Sequence, residues 1–248
     1  MNNFYLYILV GFIAQMISGS LGMAYGVIGT LFLLSIGVPT SSASASIHTA
    51  TVATSFVSGI SHMSHGNIDK ELFLKLLIPG AAGGIIGSIV LTNFNGEILK
   101  PVIYAYLFIT GIRILITALR KTRIHKKPLG NKIYLIGLTA GILDAVGGGG
   151  WGPIVTTSLI SNGVEARKTV GTVDSSKFIV ALAQVITFSI FLSITHWQVI
   201  LGLIISGVTA APLAAYVSKI IHPEKLMVLV GIIISIISLA SIVAGLIS

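Results

Sequence analysis

Charged side chains are too rare in this chain to cover the surface of a water-soluble protein of its size. The 248 residues include 15 Lys and Arg and 7 Asp and Glu, or 9% of the sequence, whereas soluble domains carry about 25%. Hydrophobic residues make up 54%, and the mean hydropathy is +0.99. A soluble enzyme or binding domain is therefore all but excluded, and the sequence predicts an all-α polytopic membrane protein.

Two further totals narrow the chemistry. The sequence contains no cysteine, which excludes disulfides, thiolate metal sites and cysteine nucleophiles. In a soluble protein the net charge of +8 would suggest a nucleic-acid partner. In a membrane protein the first question is how the basic residues are distributed between the two membrane faces. We expect no nucleic-acid partner. The N-terminus lacks the basic region of a cleavable signal peptide, so the first apolar stretch is expected to be retained.

The sequence contains an internal repeat. A shift of 126 residues aligns positions 11–38 with 137–164 without a gap and gives ten identities. Four of these are glycine pairs in one register, namely Gly11/Gly137, Gly22/Gly148, Gly26/Gly152 and Gly37/Gly163. We therefore divide a single membrane domain, 1–248, into repeat one (1–119), a basic connector (120–132) and repeat two (133–248).

Each repeat contains the same series of five apolar segments. They cover 4–20, 22–37, 43–61, 72–92 and 98–119 in the first repeat, and 132–146, 151–162, 168–193, 198–218 and 225–247 in the second. The first two segments are short and meet at a glycine-rich break, which is typical of a substrate site in transporters. We predict ten helical segments and about eight spans, with each glycine-broken hairpin either re-entrant or fully spanning.

The basic residues predict the topology. Eleven of the 15 Lys and Arg residues fall in the loops at 62–71, 120–132, 163–168 and 219–225, while the opposite face receives only Lys100. The positive-inside rule places these basic loops in the cytoplasm and both termini outside, in the cell (inner) membrane. An odd number of crossings per half then makes the two repeats inverted. We expect the connector to face anionic lipids.

The two glycine breaks are the first candidate for a binding site. Glycine leaves backbone N–H groups uncovered, and successive N–H groups before a helix N-terminus can hold an anion. Close helix packing is the alternative for the glycines, and an interfacial anchor for the aromatic residues. The candidate residues are Ser20, Gly22 and Tyr25 in the first break and Gly148, Gly149, Gly150 and Trp151 in the second.

The third segment of each repeat carries the second group of candidates. The candidates are Ser44, His48 and Thr49 in one repeat and Asp174, Ser175 and Lys177 in the other. By the repeat, His48 is equivalent to Asp174 and Thr51 to Lys177. Ionisable groups inside a membrane are expensive and usually functional. Lys177 either supplies positive charge for an anion or pairs with Asp174, and the hydroxyls either line a cavity or bond back to their own helix.

Three more residues have weaker signals. Asp144, just before the second break, either accepts backbone hydrogen bonds that hold the loop or accepts a proton. His62 and His65 have the spacing of a metal-ligand pair but lack a third ligand, so a helix end is favoured over a metal site. We expect no metal and no cofactor.

Taken together, these motifs resemble the TauE/SafE sulfite exporter family over essentially the whole chain. The resemblance is carried by 144–153 (DAVGGGGWGP), 44–50 (SASIHTA) and 66–69 (GNID). It implies secondary transport of sulfite, sulfonates or related sulfur-containing anions. The first break lacks the unbroken glycine run that the family often shows, and Thr51 and Lys177 stand where an acidic residue is expected in one branch.

The sequence therefore predicts a secondary transporter, not an enzyme, that moves a small sulfur-containing oxyanion by alternating access. A passive anion channel is one alternative, and a membrane-embedded metal enzyme that uses histidines is a second. The expected partners are the small anionic substrate and the lipid bilayer, and a homodimer is compatible with the sequence. The direction of transport and the coupling ion stay open.

Overall fold

A computed structural model describes residues 4–119, 129–193, 196–218, 220 and 223–247. Within these residues all regular structure is helical, with no strand. The ten helices are α1 (Phe4–Leu21), α2 (Tyr25–Ser35), α3 (Thr40–Ser64), α4 (Lys70–Asn93), α5 (Gly96–Leu119), α6 (Lys132–Gly147), α7 (Trp151–Ser161), α8 (Ala166–Phe191), α9 (Trp197–Val217) and α10 (Pro223–Ile247). The all-α prediction and its ten segments are confirmed. Most of the connector, 120–128, lies outside the described residues.

Local sequence explains where several helices begin and end. Pro39 lies at the N-cap of α3 in an extended conformation (φ −56°, ψ 146°), a position where its missing N–H costs nothing because the first N–H groups of a helix have no intrahelical acceptor. The Asp69 carboxylate accepts hydrogen bonds from the N–H groups of Glu71 and Leu72 and so caps α4. Gly37 and Gly163 follow α2 and α7 with φ of 84° and 83°, the left-handed conformation that ends many helices.

Six helices of the described chain are long and apolar enough to cross a membrane: α1, α4, α5, α8, α9 and α10. The short hairpin helix α1 reaches this length with 18 residues. By contrast α3, predicted as a span, has 25 residues but many hydroxyls. Several of its polar residues, including Ser44, His48 and Thr51, are buried. Because these side chains face the protein interior and not lipid, α3 can cross a membrane without being apolar along its whole length.

The helices pack in pairs that recur when the two repeats are exchanged. Helix α1 packs against α9, and its counterpart α6 packs against α4. In the same way α3 contacts α9 while α8 contacts α4, and the α3–α8 and α5–α10 pairs each join equivalent helices. Large apolar side chains such as Ile109 and Ile236 are exposed on α5 and α10, where a bilayer would cover them. The hairpins α1–α2 and α6–α7 lie against this framework.

Candidate functional site

The two glycine breaks meet in the interior and are joined by reciprocal hydrogen bonds. Gly22 and Gly148 both adopt a left-handed conformation, with φ of 69° and 67°, which glycine takes without steric cost. The Thr30 hydroxyl donates to the carbonyl of Gly148 at 3.1 Å. The Thr156 hydroxyl, its counterpart in the repeat, donates to the carbonyl of Gly22 at 3.0 Å. The hairpins are therefore fastened to one another at the breaks.

The backbones of the two breaks are also in direct contact. A Cβ atom on Gly26 would overlap the carbonyl oxygen of Gly148, and one on Gly149 would overlap the backbone nitrogen of Val27. On the opposite side, a Cβ atom on Gly152 would lie 2.5 Å from the carbonyl oxygen of Gly22. Close packing, one of the two interpretations of these glycines, therefore accounts for this part of the breaks.

The aromatic residues that follow each break are buried. Tyr25 and Trp151 are 2% and 0% exposed, so they lie inside the bundle and not at a lipid interface. The Tyr25 hydroxyl donates to the carbonyl of Leu203 at 3.3 Å, and the Trp151 indole N–H donates to Val173 at 3.1 Å. The Trp151 ring packs against Gly80, where a Cβ atom would overlap it. These bonds orient the first turns of α2 and α7.

Asp144 holds the start of α7. It is fully buried, and its Oδ1 accepts the N–H of Trp151 at 2.8 Å while its Oδ2 accepts from the Gln184 amide at 3.1 Å. A carboxylate at a helix N-terminus satisfies an otherwise unpaired N–H and interacts well with the helix dipole. The loop-holding role weighed for Asp144 is therefore present. Its carboxylate also takes one of the N–H groups that the break would offer to an anion.

Tyr106 on α5 completes the surroundings of the second break. Its ring lies against Gly147, and its hydroxyl would be 2.5 Å from a Cβ atom on Gly150. That hydroxyl is buried without a hydrogen-bond partner among the described residues. Sequence reasoning missed both Tyr106 and Gln184, because neither lies in the repeated motif and only the packing of α5 and α8 brings them to the break.

His48 and Ser44 connect α3 to the same break. The His48 Nε2 donates to the carbonyl of Asp144 at 3.1 Å, and the Ser44 hydroxyl donates to the next carbonyl, Ala145, at 2.6 Å. The imidazole stacks on Phe188 of α8, with ring centroids 6.1 Å apart and planes 9° from parallel. Its second nitrogen, Nδ1, lies 3.9 Å from Asp144 Oδ2. Two predicted site residues thus lie together at the second break.

Lys177 is buried beside these groups without a partner. It is 3% exposed, and within the described residues it makes no hydrogen bond and no ion pair. Asp174 and His48 are both close enough to interact with its charge. The Asp174 carboxylate instead accepts a hydrogen bond from the Ser58 hydroxyl of α3. The direct Asp174–Lys177 pair, one of the two interpretations of Lys177, is therefore not formed.

The other predicted hydroxyls bond to nearby backbone. Thr49 donates to Ala45 at 2.7 Å and Ser175 to Gly171 at 2.7 Å, each on its own helix. Ser20 donates to Met16 at 2.7 Å and also approaches the carbonyl of Ala214. An anion needs hydrogen-bond donors, and these hydroxyl hydrogens are already used. The back-bonded alternative thus describes these three residues in this conformation.

Thr51 differs from those hydroxyls. It is the counterpart of Lys177 in the repeat, it is 1% exposed, and its hydroxyl lacks a hydrogen-bond partner in the described part of the chain. In the sequence, Thr51 is notable only as the equivalent of Lys177 and as a position where an acidic residue is expected in one branch of the family it resembles. Its free hydroxyl hydrogen makes it a better donor for an anion than Thr49.

The histidine pair near the end of α3 is hydrogen-bonded to neighbouring groups. His62 is fully buried, and its Nε2 donates to the carbonyl of Gly19 at 3.0 Å while its Nδ1 accepts from the Asn67 amide at 3.2 Å. Both ring nitrogens are therefore engaged. The described residues hold no group of three His, Asp or Glu side chains placed for a metal ion.

A cavity of about 220 Å³ reaches from the start of α8 to the end of α1. Its charged lining residues are Glu165 and Arg167. It is also lined by Ser218, at the end of α9, and by Ser20, which is nearest the first break. Gly22 is next to this region, since a Cβ atom there would lie 3.1 Å from the Cα of Val170, which also lines the cavity.

Fold and site together define a multi-pass membrane protein in which buried polar and ionisable groups surround two broken helical hairpins, as in membrane transporters. The model of the family described as sulfite exporter TauE/SafE matches residues 7–241, and the chain belongs to this family. The protein named "Probable membrane transporter protein YtnM" of Bacillus subtilis (strain 168) is 41% identical over 239 residues, which is 93% of this chain and 80% of that protein. No solved structure matches the chain significantly. The chain is thus a membrane transporter of the TauE/SafE family.

Proposed function

We propose that this transporter carries a small sulfur-containing oxyanion, sulfite or an organosulfonate, across the cell membrane by alternating access, with Lys177 as its main anion-binding charge. The observation that carries the proposal is the side chain of Lys177, which is 3% exposed and makes no hydrogen bond or ion pair with the described residues. Burying an unpaired charge costs several kcal/mol. A bound anion offsets this cost, because the interaction of opposite charges strengthens in a medium of low dielectric constant.

Neighbouring groups would complete the site. The free hydroxyl of Thr51 supplies a donor, and the backbone N–H groups around Gly148–Gly150 supply others once the hairpins move apart. Trp151 and Tyr25 would flank the ligand, while Ser44, His48 and Asp144 hold the second break in place. Sulfite and sulfonates present several acceptor oxygens on one small group, which suits donors that converge from different helices.

The proposed transport mechanism requires an inverted repeat. The helix contacts support such a repeat, because the main helix pairs of one repeat have equivalents when the two repeats are exchanged. If the two repeats exchange conformations, a path on one face closes as the equivalent path on the other face opens. The cavity between Arg167 and Ser20 would be the path on the open side. We assign that side to the cytoplasm, because the basic loops, including Lys168, are expected there.

Flux measurements in proteoliposomes test the proposal. Lys177→Ala should lower sulfite flux at least about tenfold, since a charged hydrogen bond contributes about 1.5–3 kcal/mol, and Lys177→Arg should restore part of it. Lys75→Ala is the matched control, because Lys75 pairs with Glu71 on an exposed surface. Unchanged flux in both Lys177→Ala and Gly148→Leu would refute the site. Failure of an ion gradient to drive uphill accumulation would favour the passive channel.

A further inference from the structure

The ring of His48 has one nitrogen with no hydrogen-bond partner. Its Nε2 faces a carbonyl oxygen, that of Asp144 at 3.1 Å, and a carbonyl only accepts, so Nε2 carries the hydrogen. In the neutral ring Nδ1 is then an acceptor. No hydrogen-bond donor reaches Nδ1 from any described residue, and it lies 3.9 Å from a carboxylate oxygen of Asp144. A lone pair thus faces a negative charge, and a proton on Nδ1 would convert this repulsion into attraction.

The other ionisable groups of the interior do not offer such a position. Both ring nitrogens of His62 are hydrogen-bonded, and Asp174 accepts from Ser58. Asp144 accepts from Trp151 and Gln184 with its two oxygens, which suits an ionised carboxylate. Of the two buried histidines in the described chain, only His48 therefore has a ring nitrogen free to take a proton.

The charged groups that face His48 come from two helices. Asp144 on α6 attracts a proton to the ring, and Lys177 on α8 repels it. The remaining helices that pack against α3 bring no further charge to this point: neither α2 nor α9 contains Asp, Glu, Lys, Arg or His between its bounds. On α5, Arg113 donates to Ser158, and the hydroxyl of Tyr106 lies on the side of Asp144 that faces Gly150.

We infer that His48 binds a proton together with the transported anion, so that anion transport is coupled to protons. This inference rests on the proposed anion site at Lys177. When both carboxylates, Asp144 and Asp174, are ionised and the histidines are neutral, the described part of the interior has one negative charge more than the ammonium group of Lys177 balances, which is unfavourable for an anion. A proton on His48 removes the excess. Conversely, an anion beside Lys177 neutralises the charge that opposes the proton.

Each ligand therefore raises the affinity for the other, as thermodynamic linkage requires. Anion affinity should fall as pH rises, by up to about tenfold per pH unit where His48 titrates in the anion-free protein. A protonated Nδ1 would also donate to Asp144 Oδ2, which adds a third bond between α3 and the second break to those of His48 Nε2 and Ser44. Proton binding would thus favour the arrangement in which these elements are held together.

The test measures binding of methanesulfonate and thiosulfate to the purified protein by calorimetry between about pH 5 and about pH 8, where histidine changes charge. Both probes keep a constant charge over this range. The wild type should lose affinity as pH rises. His48→Gln keeps a donor for the Asp144 carbonyl but cannot hold the proton, so its affinity should be nearly independent of pH. His65→Gln changes a histidine near the surface and should retain the pH dependence of the wild type.

Proton uptake on anion binding can be measured on the wild type alone, so this test does not require a variant to fold. Titration of the wild type in two buffers with different ionisation enthalpies should show uptake of about one proton for each anion bound. Binding without proton uptake, or a His48→Gln profile equal to that of the wild type, overturns the coupling but leaves the anion site intact. Failure of both probes to bind at any pH instead overturns the proposed site.

Discussion

The hydroxyl of Thr156 on α7 donates a hydrogen bond to the carbonyl of Gly22, 134 positions earlier in the chain, at 3.0 Å. Its counterpart Thr30 makes the same bond to Gly148. Both carbonyls belong to residues with left-handed backbone, beyond the regular part of α1 and α6, where helices leave carbonyl groups without intrahelical partners. The two threonines therefore satisfy backbone groups that the glycine breaks leave unpaired.

Thr156→Val should destabilise the protein by about 1–3 kcal/mol, because it leaves the buried carbonyl of Gly22 without its donor at nearly constant side-chain volume. Thr30→Val should cost a similar amount, since its bond is equivalent. Thermal unfolding in detergent measures both effects. Thr139→Val is the control, because the Thr139 hydroxyl is exposed and bonds only to its own helix. A loss in the control as large as in the two variants would contradict this account.

Gly26→Ala should abolish correct assembly of the hairpins, because the new methyl group would collide with the backbone of Gly148 and Gly149, which cannot move aside as a flexible side chain does. The yield of monodisperse protein after purification measures the effect. Gly59→Ala is the matched control, since its methyl group would make only an ordinary contact with Ser175 at 3.4 Å. Equal yields from the two variants would show that the breaks are not packed as described.

Segment boundaries could be predicted from the sequence because apolar length and glycine breaks are local properties. The interior contacts could not. The i, i+3 spacing of Asp174 and Lys177 allowed a direct pair, but Ser58 of another helix bonds to Asp174 instead, and such competition depends on how helices pack. The same holds for Gln184, whose amide bonds to Asp144 from 40 positions away. Back-bonding by Thr49 and Ser175 was one of two local alternatives, and only the structure distinguishes them.

Asp144→Ala should destabilise the start of α7 by at least about 1 kcal/mol, because the N–H of Trp151 and the amide of Gln184 both lose their acceptor. Asp144→Asn keeps an oxygen that can accept from Trp151 and should restore much of the stability, while removing the negative charge. Comparison of unfolding temperatures in detergent separates the two roles. An Asn variant as unstable as the Ala variant would assign the effect to charge and not to the helix cap.

The topology can be tested by labelling, because the chain contains no cysteine. Ser64, at the end of α3, and Asn93, at the end of α4, are exposed. A single helix, α4, separates them in the chain. Ser64→Cys should react with a membrane-impermeant maleimide only from the cytoplasmic side, and Asn93→Cys only from outside. Reaction of both from the same side would contradict the assigned crossing of α4.

Thr51→Val should have opposite effects on stability and on transport. The Thr51 hydroxyl is buried without a partner among the described residues, and a buried unpaired polar group is unfavourable. Its replacement by an isosteric methyl group should therefore leave stability unchanged or raise it by about 1 kcal/mol. If the hydroxyl donates to the transported anion, sulfite affinity should fall about tenfold or more, because a hydrogen bond to a charged group is worth about 1.5–3 kcal/mol.

Unfolding temperature and sulfite binding, measured on the same Thr51→Val preparation, separate a binding role from a structural one. The back-bonded Thr49 supplies the matched control, since Thr49→Val removes a hydroxyl that donates to Ala45 on its own helix and should leave affinity nearly unchanged. Unchanged affinity in Thr51→Val would remove this residue from the anion site. A fall in affinity together with a fall in stability would show that Thr51 acts by holding α3 in place, because a pure ligand donor contributes nothing to the anion-free fold.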